Sequence, residues 1–167
     1  MWSRIAKYFA NYPARAKVAK LLFERGFQVK PPYKVVSGEI EIPHTQIARE
    51  AGVDRRVVRE TVEMILSNEE LKKIFENLRQ VCLLSDAARY LGMDTIIVVP
   101  VDARKPGIVS AIASKIAEHG LSIRQMFAED PESVEEPKLI IVIDGKTPPA
   151  LLNELRKIPD IKRVIIQ

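Results

Sequence analysis

Apolar and polar positions change period several times along the chain, and each change marks an element. Thr95–Val101 is a β-branched apolar run of strand length, which predicts a buried strand. A polar loop follows, Asp102-Ala103-Arg104-Lys105-Pro106-Gly107. Apolar residues then recur at Ile108, Val109, Ile112, Ala113, Ile116 and Ala117, the spacing of one buried helical face. Gly120 is placed to end that helix, because glycine takes φ > 0 without steric cost. Leu121-Ser122-Ile123 opens a second strand that continues through Gln125–Glu129. Lys138–Asp144 supplies a third strand, Pro148–Lys157 a helix, and Lys162–Ile166 a last strand.

Upstream the pattern is helical. Ala14–Gly26 is rich in helix formers, buries Val18, Leu21 and Leu22, and stops at Gly26. Val29–Pro43, with Pro31-Pro32 and Gly38, predicts a loop leading into a short extended piece. His44–Ser67 predicts two helices with a turn at Gly52, Asp54 capping the second. Ser67-Asn68-Glu69-Glu70 has the spacing of a capping box. It predicts a further helix with a stripe at Leu71, Ile74, Phe75, Leu78 and Val81-Cys82, with Cys82 as a buried packing thiol. Leu84–Leu91 is expected to extend or restart it, ending at Gly92.

The 167 residues suffice for one large or two small domains, and the break in period places the boundary at 92/93. The expected fold class is α+β, an all-α domain over 1–92 and a βαββαβ domain with an antiparallel sheet over 93–167. Composition, 47% apolar and 29% charged, is that of a globular chain. No apolar run approaches the ~20 residues of a membrane span, and Met1–Lys17 lacks the apolar core of a signal peptide. With one cysteine there is no disulfide framework, so a cytoplasmic location is expected. Charge is uneven, 16 Lys+Arg against 11 Asp+Glu over 1–92, and 10 against 11 over 93–167. A basic first half suits a polyanion.

The loop and glycines of the C-terminal half, Asp102…Lys105-Pro106-Gly107-Ile108-Val109 with Gly120-Leu121-Ser122-Ile123, resemble the opening half of an ACT domain, and the element order from Thr95 to Gln167 fits that family. The resemblance implies a small ligand-sensing module of amino-acid metabolism that holds an amino acid near this loop and the start of the second strand, at a dimer interface. Carried over, the ligand positions are Asp102, Arg104, Lys105, Pro106, Gly107 and Ile108, with Ser122 and Ile123 opposite. Asp102 would hold an α-ammonium, and Arg104 or Lys105 a carboxylate. Ser122 stands where many members have a side-chain amide or acid. The alternative is a tight strand-to-helix turn without a ligand.

His44–Ser67 resembles a helix-turn-helix, with Ala48, Gly52 and Val58 at the expected spacings and Thr61 where an aliphatic residue is usual. At about 100° per residue, Arg55, Arg56 and Arg59 project away from Val58. Arginine forks suit guanine edges and phosphates. Gln46 in the first helix joins them as a candidate contact to double-stranded DNA. Glu60 and Glu63 share that face, so a salt-bridged, solvated surface is the competing reading. His44 begins a helix and His119 lies near the end of another, without metal-ligand spacing. Asp130–Pro137 reads as a solvated hairpin loop. No nucleophile–base pair or phosphate-cradling motif is present, so neither catalysis nor a cofactor is expected. The arrangement resembles the ACT-containing regulators of amino-acid metabolism of archaea. It implies an amino-acid-responsive, homodimeric, DNA-binding transcriptional regulator, or a regulatory subunit that controls a biosynthetic enzyme without touching DNA.

Overall fold

The computed structural model describes residues Met1–Gln167, and the chain divides into two compact units, Met1–Cys82 and Leu83–Gln167. In the first unit α1 (Trp2–Ala6) leads into a short 3-10 turn and α2 (Pro13–Glu24). Pro13 sits in the first turn of α2, where its missing N–H would have no partner anyway.

Val29–Pro43 is more regular than its composition predicts. β1 (Gln28–Lys30), β2 (Lys34–Ser37) and β3 (Ile40–Glu41) form a three-stranded antiparallel sheet. Val29 and Val35 face each other across β1 and β2 and are fully buried in the helical core. Tertiary burial of two β-branched side chains therefore organises a stretch whose local signal, Pro31-Pro32 above all, favours a loop.

α3 (His44–Ala51) and α4 (Arg55–Ser67) follow, with Gly52 between them. The Asp54 carboxylate accepts a 2.7 Å hydrogen bond from the Arg56 N–H, which caps α4. Val58, Val62 and Ile65 are fully buried. Thr61 is fully buried too, and its hydroxyl donates to the Val57 carbonyl at 2.7 Å. A threonine is tolerated in the aliphatic position because that bond satisfies it.

Three expectations for the end of this unit are corrected. Ser67 does not cap α5 (Glu69–Glu76): it is the last residue of α4, and its hydroxyl donates to the Met64 carbonyl. Asn68 caps α5 instead, accepting from the Leu71 N–H at 3.0 Å. The stripe also stops early, since the Asn77 side chain donates to the Lys73 carbonyl at 2.8 Å and closes the helix. Val81 and Cys82 are consequently exposed, and Cys82 is not a core thiol.

The second unit begins with irregular chain, where a further helix was expected. Its one helical feature is a 3-10 turn at Ala88–Leu91. The stretch 83–92 is instead held to the sheet. Thr95 Oγ1 donates to the Ser85 carbonyl at 2.9 Å, the Leu84 N–H donates to Gln125 Oε1 at 2.8 Å, and Ala88 is fully buried.

The remainder is β4 (Asp94–Pro100), α6 (Ile108–Glu118), β5 (Ile123–Ala128), β6 (Leu139–Ile143), α7 (Pro149–Arg156) and β7 (Ile161–Ile166). The sheet is antiparallel throughout, in the order β5-β6-β4-β7. Ile96, Val98, Ile141 and Ile143 on one face pack with Ile112 and Ile116 of α6 and Leu151 and Leu155 of α7. β4 and β6 are central and buried on both faces, which explains why they read as unbroken apolar runs. The chain is a mixed α+β protein, helical at its N-terminal end and with a four-stranded antiparallel sheet and flanking helices at its C-terminal end. No helix is long and apolar enough to cross a membrane.

Candidate functional site

The loop from Asp102 to Gly107 joins the C-terminal end of β4 to α6. Its first turn closes on itself, with Asp102 Oδ1 accepting from the Arg104 N–H at 2.9 Å and the Asp102 carbonyl from the Lys105 N–H at 3.2 Å. Gly107 has φ +93, a conformation that favours glycine. Its carbonyl accepts from Ala111, and no side chain caps α6. The N–H groups of the first turn are thus left for water or an anion.

The six loop residues are all exposed, whereas Ile108 is half-buried against the core. Lys105 Nζ is 2.5 Å from the Asp160 carboxylate. Arg104 enters no ion pair. The cation available to a ligand carboxylate at this loop is therefore Arg104, a distinction the sequence does not make.

Ser122 and Ile123 stand elsewhere. Ile123 pairs with Ile143, and Ile143 pairs with Asp94, so they lie level with the start of β4, while the loop follows its end. The 7 residues of β4, at ~3.3 Å each, set the two ends about 20 Å apart. That exceeds the length of a free amino acid. Within one chain the structure does not bring Ser122 and Ile123 to the loop. Ser122 is exposed, its carbonyl accepting from the Asp144 N–H at 2.8 Å, and Ile123 is half-buried.

The second candidate surface is the outer face of α4. Arg55, Arg56 and Arg59 are all exposed on it. Arg56 Nε donates to Glu60 at 3.1 Å and Arg59 Nε to Glu63 at 2.9 Å, both one helical turn on. Glu60 also accepts from Arg15 of α2 at 2.9 Å. Arg59 lies 5.1 Å from the ring centroid of Tyr33, in the β1–β2 turn, which places this hairpin beside the helix. Arg55 enters no ion pair. Gln46 is exposed on α3, its side-chain amide unbonded. The Tyr33 contact escaped sequence reasoning because the hairpin itself did.

Elsewhere, His119 at the end of α6 lies 3.2 Å from Glu154 of α7, and His44 is the first residue of α3. Glu136, within the loop read as solvated, is clamped by Lys162 at 2.8 Å and Arg163 at 2.5 Å. These contacts hold its carboxyl below the usual range, the Lys162 hydrogen bond contributing most.

With this strand order and both helices on one face, the second unit has a fold consistent with an ACT ferredoxin-like domain. The family model described as ACT domain matches residues 96–160. A search of curated proteins finds no match. Among solved structures, the chain is similar to the P2 domain of the chemotaxis kinase CheA in complex with the response regulator CheY from Thermotoga maritima, at 21% identity and a TM-score of 0.36 over 46% of this chain and 95% of that one. It is similar to an AsnC family transcriptional regulator from Agrobacterium tumefaciens, at 10% identity and a TM-score of 0.31 over 92% of this chain and 86% of that one. It is also similar to the leucine response regulatory protein LrpA of Mycobacterium tuberculosis, at 14% identity and a TM-score of 0.29 over 92% of this chain and 89% of that one.

Proposed function

We propose that the protein is an amino-acid-responsive regulator, with effector recognition in the second unit and DNA contact through α4 in the first. The observation that carries the effector assignment is the loop itself. An unpaired Arg104 stands beside a glycine with φ +93 at the uncapped start of α6, inside the stretch that matches the ACT domain model. The helix N-terminus and the guanidinium both favour a carboxylate, and Asp102 is within the same loop for an ammonium.

The ~20 Å between the loop and Ser122–Ile123 supports a site completed by a second copy of the chain. One copy would supply 102–108, and the other Ser122 and Ile123. A homodimer follows, and effector occupancy would alter the spacing of two α4 helices, which must lie about one helical turn (~34 Å) apart to enter successive major grooves.

A second reading is a regulatory subunit for an amino-acid biosynthetic enzyme. The neutralisation of Arg56 and Arg59 by Glu60 and Glu63 favours it. One experiment tests both. The chain is titrated with DNA from its own upstream region at 50 and 200 mM salt, with and without each common amino acid. Effector-modulated binding that weakens steeply with salt supports the regulator. No binding under any condition, with an enzyme captured on co-purification, supports the subunit.

A further inference from the structure

The first unit contains a cavity of about 350 Å³ that neither α4 nor the 102–107 loop uses. This volume is within the ~300–1,000 Å³ typical of small-molecule sites. Leu21 of α2, Phe27, Ile42 and Ile47 give it an apolar wall, and Arg25, Glu50 and Gln46 stand at its polar rim.

The two sides of this cavity differ in rigidity. At the back, the chain after α5 is pressed onto the α2–β1 corner, so that a Cβ at Gly26 would come within 2.7 Å of the Arg79 carbonyl oxygen. Gln80, which also lines the cavity, accepts from the Ser37 hydroxyl at 2.9 Å. At the mouth, Arg25 and Glu50 meet at 3.4 Å with side chains 58% and 61% exposed. Exposed pairs of long side chains contribute little to folding and separate readily. The Gln46 side-chain amide has no partner within the protein.

A guanidinium and a carboxylate set over an apolar floor have the complementarity of a zwitterion with an apolar tail. We infer that this cavity is a second effector site, for a free α-amino acid with an aliphatic side chain. The ligand carboxylate pairs with Arg25, its ammonium with Glu50, and its side chain covers Leu21, Phe27 and Ile42. Exchange of one exposed ion pair for two, with the tail removed from water, supplies the driving force. Ile47, Gln46 and Glu50 all belong to α3, so occupancy bears on the helix that supports α4. The inference is independent of the loop assignment.

Isothermal titration of the full chain with leucine, isoleucine, valine, N-acetyl-leucine and leucinamide tests it, accompanied by isoleucine methyl spectra. Leucine is expected to bind saturably, with the Ile42 and Ile47 methyl signals moving in step. Arg25→Ala and Glu50→Gln should each weaken binding at least tenfold, and either blocked derivative should do the same in the unsubstituted protein. Glu50→Gln keeps the side-chain shape, and unchanged melting of both ligand-free variants confirms that folding is intact. The inference is overturned if leucine, isoleucine and valine all fail to bind. It is equally overturned if neither substitution affects binding, or if only Ile108 and Ile123 move, which would assign the ligand to the loop.

Discussion

Lys105 reaches across the top of the sheet to Asp160, its ammonium 2.5 Å from the carboxylate. Asp160 itself has φ +66, and its carbonyl accepts from the Val101 N–H at 2.8 Å. The two residues thus tie the start of the loop to the corner before β7. Arg104 is left without a protein partner. Arg104→Ala should therefore weaken amino-acid binding more than Lys105→Met does. Loss of one charge-assisted hydrogen bond, about 1.5–3 kcal/mol, corresponds to roughly a ten- to hundredfold rise in Kd. Calorimetry on both variants checks the order, and the reverse order would return the carboxylate to Lys105.

Two glycines with φ > 0 should respond differently to substitution. A Cβ at Gly107 meets nothing within 4 Å, so Gly107→Ala costs conformational strain alone, ~1–2 kcal/mol. Gly107→Val costs more, because a β-branched residue tolerates this region less, and the loop should rearrange and lose effector-induced thermal stabilisation. At Gly26, φ +64, the same strain is joined by the clash with the Arg79 carbonyl, a backbone atom that cannot move aside alone. Gly26→Ala should thus destabilise clearly more than Gly107→Ala in denaturant unfolding, an order that follows from the packing of 79–80 on the α2–β1 corner.

The contrast between the two halves shows what a sequence makes visible. From Asp94 onward the elements were legible to within about a residue at most ends, because central strands such as β4 and β6 are unbroken apolar runs and α6 has helical spacing. Of the expected face of α6, Ile112 and Ile116 are buried while Val109 and Ala117 are exposed. Between 28 and 41 only the short extended piece that forms β3 was legible. The strands there have only 3, 4 and 2 residues, and they exist through burial of Val29 and Val35, a long-range effect no local window contains. The 71–82 stripe failed for the opposite reason: the periodicity continues while the Asn77 bond to Lys73 ends the helix. The loop at 102–107 was legible as a unit. That Lys105 is engaged and Arg104 is not depends on Asp160, 55 residues away. That Ser122 lies at the far end of the sheet follows only from strand order.

Asp94 gives a pH-dependent prediction. It is 9% exposed, with Lys146 Nζ 2.9 Å from one oxygen and the Thr147 N–H 2.8 Å from the other. Burial on its own pushes this carboxyl up, but the Lys146 hydrogen bond and charge together with the Thr147 N–H outweigh it, and the group titrates below its ordinary value of 3.8. The unfolded chain therefore takes up this proton first as pH falls. The contribution is fully present above the ordinary value and is lost as pH falls through the folded one. Asp94→Asn should destabilise at neutral pH by about 1.5–3 kcal/mol. The gap from the unsubstituted protein should narrow in acid below pH 3.8. Denaturant unfolding at the two pH values checks it, and a gap of constant size would mean that packing, not charge, is what Asp94 supplies.

The α4 face separates the two functional readings most sharply. Arg55, Arg56 and Arg59 project from its first two turns, and alanine at all three removes as many potential guanine or phosphate contacts, each bidentate base contact being worth ~1–3 kcal/mol of discrimination. If α4 enters DNA, the triple variant should lose affinity by orders of magnitude, with a shallower salt dependence. Folding should survive, since the helical pairs Arg56–Glu60 and Arg59–Glu63 contribute only ~0.3–0.5 kcal/mol each. The glutamates provide the complementary test. Glu63→Gln frees Arg59 and removes a carboxylate that repels phosphate, so it should tighten DNA binding. Glu60→Gln should do so less, because Glu60 also anchors Arg15 of α2 at 2.9 Å. If the face instead meets a protein surface that sets a cation opposite Glu63, Glu63→Gln should leave DNA binding absent and weaken capture of the partner. A mobility-shift titration of these variants at low salt, beside co-purification of the same proteins, decides between them. Tighter DNA binding by Glu63→Gln together with loss in the triple variant makes α4 a recognition helix, and no shift for any of them makes it a scaffold.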